Sequence, residues 1–280
     1  MEAHQRAALV LPALLALASW VPAGAGLPSA QLPLEPYRNS GQGVTGSYEG
    51  WYRNSDGSFT MLIGYYNRNE KETLEIPIGP NNRIEPGGLD QGQPTYFLPR
   101  RQWGVFTITV PKDFGDKKLT WTLTANGQTT SIPLTLNPLW VISPFKDVAM
   151  GNTPPVVKFQ QDGVIQQGPP RETSVIFNTK LSEPVSITVW LTDDFVQNPG
   201  VQPAARLSVS WSKFRGPGGV TFASPKPDID KTDGKATTTA TFTAPGEYIL
   251  RLQANDSSGD GGGGFQCCWT TAHVKVVVTK

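Results

Sequence analysis

The stretch Ala240-Thr241-Phe242-Thr243-Ala244-Pro245-Gly246-Glu247-Tyr248-Ile249-Leu250-Arg251-Leu252-Gln253-Ala254-Asn255-Asp256 decides how the chain is read. Ala244-Pro245-Gly246 is a turn, because proline presets its own φ and glycine tolerates backbone geometry that other residues avoid. After it, Tyr248, Leu250, Leu252 and Ala254 recur at every second position, the period of a strand with one face buried. The same spacing returns on both sides. Val185, Ile187, Val189 and Leu191 form one inward set, and Leu207, Val209 and Trp211 a second. Val274, Val276 and Val278 form a third in the β-branched run near the C-terminus. In Leu119-Thr120-Trp121-Thr122-Leu123-Thr124-Ala125 the large residues face in and three threonines face out. No window after residue 26 sustains apolar spacing at three and four residues, so helices are not expected. Short strands separated by turn residues predict an all-β chain of antiparallel sandwiches.

Composition agrees with this. Of 280 residues 17% are charged, below the roughly 25% of an average soluble domain, while 29 glycines and 25 prolines supply turns in abundance. A helical bundle cannot be built from that mixture. A formal net charge of +1 leaves no positive field to hold phosphates, which excludes nucleic acid as a partner. The hydrophobic fraction of 38% is ample for a core.

Residues 1–26 read as a secretory signal peptide. Arg6 and His4 make a short polar head, Ala7 to Val21 is apolar apart from Ser19, and Ala23-Gly24-Ala25 fits a cleavage site. The apolar run is too short for a stable span, and no other reaches about 18 residues. The expectation is a secreted, periplasmic or cell-surface protein with no transmembrane anchor after cleavage. Between Pro144 and Pro155, the segment ending Asn152-Thr153-Pro154-Pro155 reads as an extended spacer. Two β-sandwich domains are therefore expected, 27–145 and 155–280, each of ordinary sandwich size.

The C-terminal half carries a resemblance. A Trp211 strand runs into Arg215-Gly216-Pro217-Gly218-Gly219, followed by Phe242-Thr243-Ala244-Pro245-Gly246-Glu247-Tyr248 entering a strand that ends at Asp256, then the valine-rich strand. This order resembles PKD-like, immunoglobulin-type domains of extracellular proteins, over residues 155–280. The resemblance implies an immunoglobulin-like sandwich serving as a spacer or adhesive module, with no active site of its own. Where PKD domains carry Trp-Asp-Phe-Gly-Asp-Gly, this chain has Trp211-Ser212-Lys213-Phe214-Arg215-Gly216, which favours a looser immunoglobulin-like relative. The N-terminal half is immunoglobulin-like by pattern alone. Its strand candidates are Phe59–Tyr66, Leu74–Ile78, Val105–Val110 and Leu119–Ala125, the last two read as a closing hairpin.

Cys267-Cys268 is the sharpest local feature. In an oxidising compartment two thiols with no other cysteine to pair with invite a vicinal disulfide, although adjacent Cα atoms across a trans peptide lie closer than disulfides prefer. Reduced thiols on opposite faces of a strand, an intermolecular bridge, or a metal site shared with His273 are the alternatives. Catalysis is poorly supplied: His273 is the only histidine after residue 26, and its terminal strand suggests a solvent-facing place. Asp193-Asp194, and Asp228 with Asp230, are carboxylate pairs of the kind glycosidases use, yet at such short spacing they read as solvated turns. Asn255-Asp256-Ser257-Ser258-Gly259-Asp260-Gly261 is oxygen-rich like a Ca2+ loop but lacks the EF-hand spacing, so a polar hairpin loop is the plainer reading and no cofactor is required.

Candidate ligand-binding residues are aromatic. Trp51, Tyr52, Tyr65 and Tyr66 sit among Gly, Asn, Arg and Ser, where exposed rings would stack on sugars or anchor a protein; the alternative is that each adjacent pair sends one ring into the core. Arg100 and Arg101 could grip a carboxylate. The reading is an exported, non-catalytic protein of surface attachment or extracellular assembly, with an extracellular protein or glycan as partner. A carbohydrate-binding protein using the N-terminal aromatics, and a hydrolase with a site between the domains, are the alternatives.

Overall fold

Sixteen strands and one short 3-10 turn at Pro138–Trp140 make up the regular structure of a computed structural model that describes residues 38–147, 151–195, 207–256 and 267–280. Residues 1–26, read above as a signal peptide, most of the Ca2+-like loop and the run Gly261–Gly264 lie outside the described residues. Residues 38–280 cluster as one unit.

The first set of strands is β1 (Val44–Arg53), β2 (Phe59–Asn67), β3 (Leu74–Glu75), β4 (Asn82–Glu85), β5 (Tyr96–Phe97), β6 (Arg100–Val110), β7 (Lys118–Ala125) and β8 (Gln128–Thr135). They form a β1-β2-β6 sheet, a β4-β7-β8 sheet and a two-stranded β3-β5 ribbon. Met61, Ile63 and Tyr65 from one sheet meet Ile84, Trp121 and Leu134 from the other in a shared cluster. The expected β6-β7 hairpin does not form. β6 joins the opposite sheet, and β7 turns instead at Asn126-Gly127, both at positive φ, into β8. Such a two-residue turn matches strand twist and is the commonest use of Asn-Gly. Asn82 is fully buried and organises the interior: its amide donates to the carbonyls of Ile76 and Pro94, and its oxygen accepts the Trp121 indole N–H at 3.0 Å.

The second set is β9 (Val156–Lys158), β10 (Thr173–Lys180), β11 (Val185–Thr192), β12 (Ser208–Arg215), β13 (Val220–Phe222), β14 (Lys235–Phe242), β15 (Gly246–Asn255) and β16 (Trp269–Thr279). The sheets are β9-β11-β14-β13 and β10-β16-β15-β12. With β10 set aside as an extra edge strand, this is the immunoglobulin arrangement: of the remaining seven, the first, second, fifth and fourth strands lie on one side and the third, sixth and seventh on the other. β10 pairs with β16 in parallel, a departure from the wholly antiparallel expectation that lets one chain entry serve both sheets. Every predicted inward residue of β11, β15 and β16 is buried, and Val209 and Trp211 join them; Leu207 lies just before β12 and packs at the cluster's edge. Each fully buried large side chain contributes roughly 1.5–3 kcal/mol.

At the turn into β15, the Tyr248 hydroxyl donates to the Ala244 carbonyl at 2.7 Å, and its ring packs on Phe242. That bond closes the loop before the strand, as a tyrosine corner does in immunoglobulin-like sandwiches. Gly216, at φ +147, permits it: a Cβ there would lie 2.1 Å from the Tyr248 ring.

Candidate functional site

The two clusters meet across a polar seam that begins in a defect of β6. Its ladder with β2 slips between Ile63 and Tyr65, and Gly104 turns the strand at φ +51. A bulge leaves carbonyls without ladder partners, and buried carbonyls must find donors elsewhere. Here cationic side chains and a histidine supply them. Arg101 Nη1 donates to the Tyr65 and Gln102 carbonyls, Arg251 Nη2 to the Trp103 carbonyl at 2.7 Å, and His273 Nε2 reaches the Val105 carbonyl at 3.1 Å. Arg251 and His273 come from β15 and β16, so the second set of strands completes a strand of the first.

Glu49 balances these charges. Its carboxylate accepts from Arg101 Nη2 and from the Gly104 N–H, both at 2.8 Å, in a place only 3% exposed. Gly64 gives it room, since a Cβ there would sit 2.1 Å from Glu49 Oε1. Burial pushes the Glu49 carboxyl up to about 7 against the pull of Arg101. Burial, then Arg251, holds His273 down to about 3, so the imidazole is neutral and its Nε2 carries the donated proton. His273 is therefore not solvent-facing; its ring packs on Phe214 with centroids 4.3 Å apart.

β12 adds further links. Its ladder slips between Lys213 and Arg215, and Phe214 turns into the first cluster. Lys213 Nζ pairs with Glu75 at 2.8 Å, while Arg215 grips Asp90 through both terminal nitrogens and donates Nε to the Gln93 carbonyl. Arg215 holds the Asp90 carboxyl below its usual range. These crossing residues were not recognised from sequence as a set; the buried-charge signal needs the partner strands.

The candidate ligand-binding residues do not share one face. Tyr65 is in the core at 2% exposure, its oxygen accepting the Leu98 N–H. Trp51 donates its indole N–H to the Asn137 carbonyl and sets its edge on Phe59. Tyr52 is buried beside Phe145, centroids 5.1 Å apart. Tyr66 points outward, and its hydroxyl accepts from Arg100, which also pairs with Glu70. Arg101 is committed to Glu49, its guanidinium 3.7 Å over Trp103.

Cys267 and Cys268 are joined as a vicinal disulfide across a cis peptide, their Cα atoms 3.1 Å apart. The disulfide leaves no thiolate for a metal site with His273. Asp194 accepts from Thr153, and Asp256 accepts from Asn152 at 2.6 Å. Burial, with Asp256 and Asp194 near, lifts the Asp193 carboxyl to about 6. The fold thus gathers the acidic pair and the start of the Ca2+-like loop beside the segment Asn152–Thr153. Among the described residues, no group of three or more His, Cys, Asp or Glu is placed to hold a metal ion.

Among the described residues, two clefts bear on the candidate residues. The larger, about 1090 Å³, lies over the outer face of β1 and β2, floored by Tyr52, Thr60 and Thr109 and walled by Phe145 and Arg171. The smaller, about 630 Å³, lies at the seam between Arg101-Gln102-Trp103, the outward serines of β12, and Arg251 and Gln253 of β15.

Sheet order, tyrosine corner and seam define an immunoglobulin-like β-sandwich protein. No protein-family model matches the chain, and no curated protein matches it. Among solved structures, it is similar to the D00-D0 domain of intimin at 14% identity, covering 85% of this chain and 100% of that one, with a TM-score of 0.29. Domains 4 and 5 of the S-layer protein SbsC are 14% identical over 59% of this chain and 66% of theirs, with a TM-score of 0.25. The titin domains z1z2, solved with telethonin, are 11% identical over 85% and 97%, with a TM-score of 0.24. At these scores the likenesses add nothing to the sheet order described above. No helix among the described residues is long and apolar enough to cross a membrane.

Proposed function

We propose that the protein is exported and acts as a non-catalytic interaction module in surface attachment or an extracellular assembly, with 27–145 and 155–280 as two immunoglobulin-like modules. The seam carries this reading. Glu49 and Arg101 are spent on each other, and the terminal nitrogen of Arg251 and the His273 ring on carbonyls at the bulge of β6, so the groups best suited to chemistry serve the seam. Lys213, Arg215 and Phe214 tie the same two clusters a second time. Chemistry buried in a contact holds position, and a held position is what a spacer between a surface and its partner requires. Cell fractionation with N-terminal mass analysis tests it. The chain is expected outside the cytoplasm, beginning near Gly26; a cytoplasmic chain retaining residues 1–26, or purified protein that turns over generic ester, peptide or glycoside substrates, would overturn it.

The cleft beside Tyr52 favours a second reading as a carbohydrate-binding protein, because an aromatic wall over a threonine floor offers stacking and hydroxyl contacts together. Glycan-array binding that vanishes in Phe145→Ala is the expected result for that reading.

A further inference from the structure

Arg251 is the one charge of the seam that its neighbours leave incompletely served. It is only 4% exposed, yet its two terminal nitrogens donate to uncharged acceptors, the Gln102 side chain at 3.2 Å and the Trp103 carbonyl. Its Nε is buried with no hydrogen-bond partner. Glu49 is satisfied by Arg101 and Gly104 and makes no bond to Arg251. Glu49 acts on Arg251 only through space, and a buried guanidinium with no carboxylate in hydrogen-bond contact carries a desolvation cost that a planar edge able to take two oxygens would recover.

The same side chain lines the smaller cleft, about 630 Å³ in volume. Arg101, Lys226 and Arg251 there face one carboxylate, Asp228, and even with Glu49 counted behind Arg101 one positive charge is in excess. The rest of the lining is of another kind. Ser210 and Ser212 turn outward from β12 beside Gln253, and Trp103 contributes an indole whose ring already carries the Arg101 guanidinium. Hydroxyls, amides and one indole suit a polyhydroxylated ring, and the surplus guanidinium suits an acid attached to it.

We infer that this cleft binds a sugar of the uronic-acid kind, its carboxylate against Arg251 and its hydroxyls on Ser210, Ser212 and Gln253. An acidic peptide would use the charge but leave the serine and amide wall idle. The site is separate from the cleft beside Tyr52, and its failure leaves that reading and the export of the protein untouched.

The test is calorimetric titration of the purified chain with galacturonic acid and its trimer, against the methyl ester and galactose. The acid is expected to bind about ten- to a hundredfold more tightly than the ester, the range for a charge-assisted hydrogen bond. Ser210→Trp, an outward strand position that tolerates a large ring, is expected to abolish binding by filling the cleft while Arg251 keeps its bonds. Lys226→Ala, at an exposed residue, is expected to weaken it severalfold, which keeps the inference testable if Ser210→Trp fails to fold. Equal affinity for acid and ester, no binding of the acid at millimolar concentration, retention of binding in a folded Ser210→Trp chain, or stronger binding of an oligoglutamate peptide would each overturn it.

Discussion

Between pH 4.5 and 6.5 the carboxylate of Glu49 and the imidazole of His273 push stability in opposite directions, and Glu49→Gln separates them. Glu49 titrates near 7 in the folded chain against an ordinary 4.5, so between those values the native state holds the extra proton. Its contribution is greatest below pH 4.5 and is lost as pH rises through 7, by about 1.4 kcal/mol per pH unit and about 3 kcal/mol in all. His273 titrates near 3 against an ordinary 6.5, so there the unfolded state holds the extra proton. Its contribution is complete above pH 6.5 and is lost as pH falls toward 3, at the same slope and by about 5 kcal/mol in all. In the overlap the two slopes cancel. Urea denaturation at half-unit pH intervals, with the unfolding slope checked for constancy, measures this directly. The parent is expected to show no net trend from this pair over the overlap. Glu49→Gln removes one slope, so the variant is expected to lose about 3 kcal/mol relative to the parent on going from pH 6.5 to 4.5. Every other titrating group is common to both chains and drops out of the difference. Parallel profiles for parent and variant would refute the placement of Glu49 as a buried, charge-disfavoured carboxyl.

Gly104→Ala is expected to cost more than about 2 kcal/mol, because its Cβ would lie 2.2 Å from the Trp269 indole nitrogen at φ +51. Gly127→Ala, at φ +73 with nothing near, is expected to cost about 1 kcal/mol, and thermal unfolding of the two orders them. Tyr248→Phe keeps the ring and loses the bond to Ala244, for about 1 kcal/mol in the same assay. Thiol titration is expected to find no free thiol in native or denatured chain and two after denaturation with reductant, since both cysteines lie in one disulfide.

The second set of strands is legible because β11, β15 and β16 each bury every second residue, and because Ala244-Pro245-Gly246 and Tyr248 mark one corner. β1 was harder to see. Its glycines and polar residues look like loop, and Gly46 and Gly50 are there because Trp121 and the 140–142 segment press against the backbone. β8 was missed although Asn126-Gly127 announced its turn, since Pro133 and its exposed alternate residues blunt the hydrophobic pattern of an edge strand. The candidate rings are neighbours in sequence, and strand geometry separates each adjacent pair. Tyr65 went to the core while Tyr66 stayed outside, as the period of a strand demands. Arg101 was nominated for the right chemistry with the wrong carboxylate, because Glu49 lies 52 residues away in sequence. His273 cannot be placed from its strand alone, for its ring meets the Val105 carbonyl of β6 and the Phe214 ring of β12, partners distant in sequence.

The bulge of β6 also sets an order of events during synthesis. β6 is made well before β15 and β16, yet Arg251 and His273 from those strands serve its Trp103 and Val105 carbonyls. Until then the first half carries an unfinished edge, and the contacts that finish it span 148 and 168 residues. Loop closure on that scale slows folding and leaves the nascent chain open to proteases and to pairing with other strands. Export, as proposed above, would place that delay after translocation, when β6, β15 and β16 are present together.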